Sequence, residues 1–432
     1  MIRRINRPVS WLFVGLAAIN LVACNEDDKK ELLPPEEIKL NDNYTTTRST
    51  VLTIKPEVTG YEAAAYKWSL TQTPEGAVDS LISEELELEF ITIQPGTYAL
   101  NLEVTQTEKK EDFAVDVLVE QEAEAFSPYL AEVLDYLPGV GQFVNKLPSY
   151  EEGDTQASMI AKTSDLLAGE DASMITLGGF GGYVTFRFDH TVANLPGRRD
   201  FRVKGNAFGA AANPQPDAPF GGSCEPGVIM VAYDKNQNGE VDPEEWYEIA
   251  GSAHHSVSSE AWYCLGKVAG NDLEIIPGYE ITYFRPTEEP DQATEEYIRW
   301  EDNQGNSGYK VKNVFHSQSY FPAWIEGDSY TLKGTRLPEN GINEKSDKGD
   351  YFVLYGFGFG YADNYPNAHD NSAIDIAWAV DAEGNPVHLP GVDFVRVHCG
   401  VNQENGWLGE CSTEIAGAED LHLLGEVIDS EK

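Results

Sequence analysis

The chain has 432 residues, with 72 acidic against 30 basic side chains and a formal charge of −42. A field of that sign repels phosphate backbones and anionic lipid, so nucleic acid is set aside as a partner and cation binding is favoured. The length allows two or three domains, and 39 glycines beside 4 methionines suit an all-β chain rich in turns.

At the start, Arg3, Arg4 and Arg7 precede an apolar run from Val9 to Val22 that is short for a membrane span. Residues 1–23 thus have the basic, apolar and small-residue parts of a secretory signal. Leu21-Val22-Ala23-Cys24 resembles the bacterial lipobox, which implies lipidation of Cys24. Asn25-Glu26-Asp27-Asp28 is similar to the acidic export tag of Bacteroidota lipoproteins, and implies a lipid-anchored place on the outer face of the outer membrane. Residues 24–37, with Pro34-Pro35, read as an acidic tether.

Residues 38–121 form a small β unit. Val51–Ile54, Tyr66–Leu70, Leu86–Ile91 and Tyr98–Val104 alternate apolar and polar residues over strand lengths. Tyr66-Lys67-Trp68-Ser69-Leu70, followed by Gly96-Thr97-Tyr98-Ala99-Leu100, resembles the immunoglobulin-like PKD modules of bacterial surface proteins. The resemblance implies a spacer with Trp68 in its core. Residues 122–170 read as a helical linker. Tyr129, Leu130, Val133, Leu134 and Leu137 predict a short amphipathic helix ended by Pro138-Gly139, and Thr155 caps a second helix that runs to Leu167, with Gly169 just beyond.

From residue 171 to 432 the pattern is β throughout. Tyr183–Phe188, Phe201–Lys204, Val228–Tyr233, Tyr279–Phe284, Tyr297–Trp300, Tyr351–Tyr355, Ile374–Ala379 and Phe394–His398 are strand candidates separated by Gly, Pro and Asn. So many strands in one domain predict a jelly-roll-like sandwich. Within it, Asp234, Asn236, Asn238, Asp242 and Glu245 stand where a twelve-residue calcium loop places its oxygen side chains. Gly239 holds the sharp turn and the Glu240 carbonyl supplies another ligand. Ca²⁺ is therefore the expected cofactor. The flanks are β-branched and aromatic, so the loop joins two strands. It reads as a structural staple rather than a sensor that opens a helix pair.

Beyond Cys24, the chain carries Cys224, Cys264, Cys399 and Cys411. An even number in an oxidising compartment suggests two disulfides, with three possible pairings. Cys224–Cys264 and Cys399–Cys411, the pairs closest in sequence, are favoured. Trp324 and Trp407 lie in loop-like stretches and are the candidate ligand-stacking residues. Gly178–Gly182 lacks the Lys-Ser/Thr and the following helix of a phosphate loop, so it reads as a turn, and Gly356–Gly360 reads as a strand bend. The eight histidines are scattered and no Gly-x-Ser-x-Gly occurs, so nothing nominates catalytic residues and the expectation is a protein that is not an enzyme. Asp363-Asn364 and Asp370-Asn371 mark a polar loop that is either an Asx-rich turn or a second cation site.

Several stretches together resemble a family of surface lipoproteins from gut Bacteroidota. They include Ser127-Pro128-Tyr129, Pro138–Asn145, Asp189-His190-Thr191-Val192, Gly205-Asn206-Ala207-Phe208, Glu225-Pro226-Gly227-Val228, Tyr297–Trp300, Leu332–Thr335 and the tail from Trp407 to His422. Such proteins are found beside TonB-dependent transporters for cobalamin. The resemblance implies capture of a corrinoid at the cell surface for such a transporter. Glycan capture on a calcium-stabilised jelly roll is the alternative, and it uses the same aromatic loops.

Overall fold

The computed structural model describes residues 37–430, apart from 62, 107–108, 211–218, 346 and 348. The signal peptide, Cys24 and all of the tether before Glu37 lie outside the described residues. No described helix is long and apolar enough to cross a membrane.

The N-terminal module is a five-stranded sheet in the order Asn43–Thr47, Lys109–Glu120, Gly96–Gln106, Ala65–Thr73, Gly76–Ser83. Its strands alternate because one face is buried: Tyr98, Leu100, Leu102 and Val104 face Val115, Val117 and Val119 in a core closed by Ile54, Leu88 and Phe90. Trp68 lies at its centre with no exposure, and its indole N–H donates to the Leu86 carbonyl at 3.2 Å. The module is docked. Val51 and Ile91 join the apolar core of the large domain, and the Thr191 N–H donates to the Ser49 carbonyl at 3.3 Å.

The large domain is organised on strands β1 (Glu132–Leu137), β2 (Tyr183–Ala193), β3 (Gly227–Ala232), β4 (Trp246–Ile249) and β5 (Gly391–Cys399). They form an antiparallel sheet in the order β1-β2-β5-β3-β4, with Ala379–Val380 along the outer edge of β4. One face carries Val184, Phe186, Val231, Val395 and Val397 into the main core, covered by helix α1 (Gln156–Leu167) through Met159 and Leu167. The other face carries Arg396, whose guanidinium lies over the rings of Tyr183 and Trp246 at 4.7 and 5.0 Å. A second antiparallel sheet packs there, in the order Ser307–Lys312, Thr294–Asp302, Ile276–Phe284, Ser329–Arg336. Gly334 of this second sheet has room only for hydrogen, because a Cβ would collide with the His398 ring. A third sheet, in the order Phe208–Gly209, Gly221–Ser223, Phe352–Tyr355, Gly341–Asn343, closes a separate core around Trp262, Phe357 and Tyr361. The architecture is all-β with sheets packed face to face.

Three expectations are corrected. The segment read as an amphipathic helix is β1, paired with β2 from Glu132↔Arg187 to Leu137↔Tyr183. Val133 and Tyr136 are buried, and the Tyr136 hydroxyl donates to the Thr176 carbonyl at 2.9 Å. Residues 122–170 are thus part of the large domain, and of the two helices expected there only α1 is formed. Thr155 caps it through a reciprocal pair with Ser158. The second correction is helix α2 (Ala261–Ala269), which the strand pattern concealed, and which ends on Gly270 in the left-handed region at φ 85°. The predicted strand Ile374–Ala379 is mostly a tight helical turn at Ile376–Trp378. Gly178–Gly182 is a close backbone approach, since a Cβ on Gly182 would meet the Leu177 carbonyl and one on Gly178 the Gly139 carbonyl.

The ladder between β2 and β5 breaks between Arg187 and Val192, and His190 sits in the break. Its Nδ1 lies 2.8 Å from Asp189 Oδ1 and its Nε2 lies 2.8 Å from Asp420 Oδ2, with the Asp420 side chain fully buried. The ring stacks on Phe126 at a centroid distance of 5.1 Å.

Candidate ligand cleft and cation sites

The calcium-type loop hangs between β3 and β4, whose register runs from Met230↔Glu248 to Ala232↔Trp246. Asp234 accepts from the Asn238 N–H at 3.0 Å and from the Gly239 N–H at 2.8 Å. The side-chain amides of Asn236 and Asn238 both reach Asp242 Oδ2, at 2.6 and 3.1 Å. Glu245 is buried, and its two oxygens accept from the Lys235 and Asp242 N–H groups at 3.2 and 3.0 Å. Gly239 turns the chain at φ 76°. The backbone of Glu240 donates to Asn238 Oδ1 at 2.7 Å. The amide nitrogens of Asn236 and Asn238 thus converge on Asp242 Oδ2, while their oxygens accept from the Asn238 and Glu240 N–H groups, so internal hydrogen bonds close the loop. The carboxylates and amides of the loop are nonetheless the donor types that a hard cation such as Ca²⁺ takes in a flexible cage. Asp234, Asn236, Asn238, Asp242 and Glu245 would hold the ion by side chains and Glu240 by its carbonyl.

Chelation gives a direct prediction. At about 1 mM Ca²⁺ and a dissociation constant near 10 μM, removing the ion is expected to lower stability by about 2.7 kcal/mol. Thermal melts with and without chelator check this, and Asp234→Ala should shrink the difference by that amount.

A cleft of about 430 Å³ opens beside the third sheet. Its floor is a stripe with a period of two: Glu410, Ser412 and Glu414 alternate along one extended segment, with Glu225 beside them. Its rim is aromatic, with Trp407 49% exposed, Phe208 58% and Phe315 67%. Trp407 rides on the turn Gly406–Leu408, and Gly406 and Gly409 are both in the left-handed region. Gln142 pins that turn. Its side-chain amide donates to the Leu408 carbonyl at 2.7 Å and its backbone N–H to Glu410 Oε1 at 2.6 Å.

The acids of the floor are unusual. One carboxylate oxygen from each of Glu225, Asp363 and Glu414 lies within 4.8 Å of the others. Burial pushes the Asp363 carboxyl up to about 7. Burial, followed by the neighbouring carboxylates, also raises Glu225 and Glu414 well above the usual range. Burial and then Glu404 raise Glu410 to about 8. All four are anchored by the fold. The Ser412 N–H donates to Glu225 at 2.9 Å, the Asn206 and Ala207 N–H groups to Asp363 at 2.7 and 2.8 Å, and the Ser412 and Thr176 hydroxyls to Glu414 at 2.9 and 3.0 Å.

Of the residues nominated from sequence, Trp407 lines this cleft. Trp324 does not. It is buried between Tyr136 and Tyr150, at ring-centroid distances of 6.2 and 6.3 Å, with its indole N–H donating to Gln156 at 2.9 Å. Its loop-like flanks conceal a core position. Asp363 is buried at the acidic cluster, whereas its sequence neighbour Asn364 bonds both backbone groups of Phe357, and Asp370 is exposed on a separate turn. All four described cysteines are free thiols. The Cys224–Cys264 bridge is not formed, because Cys224 is enclosed near Gly356 while Cys264 faces solvent from α2. Cys399 and Cys411 are brought together as buried thiols, with Cys399 Sγ 3.4 Å from the Cys411 carbonyl. Glu225, Glu410 and Glu414 were missed from sequence. The only available signal was the alternation from Glu410 to Glu414.

No family model matches the chain, and no curated protein matches it. Among solved structures it is similar to the PKD domain of human KIAA0319, at 14% identity over 24% of this chain and 96% of that one, with a TM-score of 0.18. It is also similar to the SusE-like protein BT2857, at 7% identity over 89% of this chain and 95% of that one, with a TM-score of 0.20.

Proposed function

We propose that the chain is a non-catalytic, lipid-anchored surface protein whose cleft captures a glycan for an outer-membrane transporter of the TonB-dependent kind. The observation that carries the glycan reading is the cleft itself: a half-exposed tryptophan and two exposed phenylalanines around a polar floor. A sugar ring offers an apolar face to stack on such a rim and hydroxyls to meet such a floor. The volume of about 430 Å³ suits one or two sugar rings. The surface address rests on the signal and lipobox pattern of residues 1–28. The floor carboxyls are each fixed by donors of the fold, an arrangement that favours holding a ligand over trading protons with it.

Corrinoid capture is the second reading, and His316 favours it. This histidine lines the cleft, and burial, then Lys146, keeps its pKa below the ordinary 6.5. The neutral imidazole that results is the form that ligates a metal such as cobalt. Against it, a corrin with its nucleotide tail exceeds what the cleft encloses.

The test is a glycan array on the chain from Asn25 onward, followed by calorimetric titration of any hit and of cyanocobalamin. Trp407→Ala is expected to weaken glycan binding tenfold or more, about 1.4 kcal/mol or above, with the melting temperature unchanged. Saturable cyanocobalamin binding with no glycan hit would replace the first reading by the second, and release of shortened glycan would overturn the non-catalytic assignment.

A further inference from the structure

Three carboxylates converge at the cleft floor, and a separate observation shows that the same cleft lacks something. Asn405, on the turn that carries Trp407, is 1% exposed and lines the cleft. Neither its Oδ1 nor its Nδ2 has a partner among the described residues. A buried polar group of this kind is uncommon in folded chains and marks a place that an outside group completes.

The carboxylate geometry says what that group includes. Oxygens bound to one Ca²⁺ at about 2.4 Å can be no further apart than about 4.8 Å. Oxygens of Glu225, Asp363 and Glu414 meet this limit, though they come from three distant parts of the chain. Mg²⁺, with shorter bonds of about 2.1 Å, needs a tighter set. Glu225 and Glu414 also line the cleft, so an ion among the three would face the cavity from its floor.

We propose that Glu225, Asp363 and Glu414 hold a second Ca²⁺ at the floor of the cleft, and that this ion is the polar contact that glycan hydroxyls meet. With the ion bound, the three carboxylates and Ca²⁺ make a site of net charge −1, which offsets the repulsion among them. The part played by glycan hydroxyls rests on the glycan reading; the ion does not.

The experiment is calorimetric titration of CaCl₂ into the metal-stripped chain from Asn25 onward, with no glycan present. Wild type is expected to take up two equivalents. An Asp234→Ala, Asp242→Ala variant, which disables the calcium-type loop, should retain one. Adding Glu414→Gln to that variant should remove the remaining uptake, with circular dichroism confirming the fold. Glu225→Gln, at a half-buried position, should do the same if Glu414→Gln fails to fold. Uptake of one equivalent by wild type and none by the loop variant would overturn the proposal, as would uptake that persists through both carboxylate changes. A chain that binds two ions but no glycan would overturn only the glycan reading.

Discussion

His190→Ala is expected to destabilise the large domain by about 3–5 kcal/mol, the cost of removing one partner from a buried charged pair. The Asp420 side chain is wholly buried, and it loses the ring nitrogen 2.8 Å from Oδ2. Its other oxygen keeps the His422 and Leu423 N–H groups, at 2.7 and 3.1 Å, so the loss falls on one side of the carboxylate. The midpoint of urea unfolding reads the effect. A shift equivalent to under about 1 kcal/mol would show that water enters and replaces the imidazole.

The same pair carries a pH dependence. Burial alone would depress the His190 pKa, but hydrogen bonds to Asp420 and Asp189 outweigh it and hold the ring above its ordinary 6.5. A raised folded value means that the contribution is fully present below the unfolded pKa and is lost as pH rises through the folded one. Wild type and His190→Ala should therefore differ most below about pH 6.5 and converge on the alkaline side. A gap that widens with pH would contradict this assignment of charge.

Trp68→Ala should cost the N-terminal module about 3–5 kcal/mol, the range for truncating a fully buried aromatic. The indole is packed among Ile54, Leu102 and Val117 and also satisfies the Leu86 carbonyl, so the change leaves both a void and an unpaired acceptor. Trp68→Phe retains most of the volume and should cost clearly less. Chemical denaturation followed by far-ultraviolet dichroism distinguishes the two, and equal losses would place the hydrogen bond above the packing.

How much of this was legible in the sequence depends on how local its cause is. The turn at Gly239 between two strands, the Thr155 cap and the alternation around Trp68 are written within a dozen residues each, and they could be read. The segment from Tyr129 to Leu137 could not, because Leu130, Val133, Leu134 and Leu137 satisfy a helical period while the partner that makes it a strand lies some fifty residues on, at Tyr183–Arg187. Trp324 and Trp407 have similar flanks, and only the rings of Tyr136 and Tyr150 decide that the first is core. The cleft was hidden for a different reason. Among 72 acids no pair stands out, and Glu225, Asp363 and Glu414 become a site only when three separate segments meet.

The order β1-β2-β5-β3-β4 also governs how the chain reaches this fold. Strand β5, from residues 391–399, lies between β2 and β3, which precede it by well over a hundred residues. A chain that emerges from its N-terminus holds two bare apolar strand edges until nearly all of it is available. Pairings so far apart in sequence make folding slow and leave those edges open to wrong partners meanwhile. Truncation before Gly391 would thus remove more than the tail: β2 and β3 would have no strand to join them, and the partial sheet would be prone to aggregate rather than remain as a smaller domain.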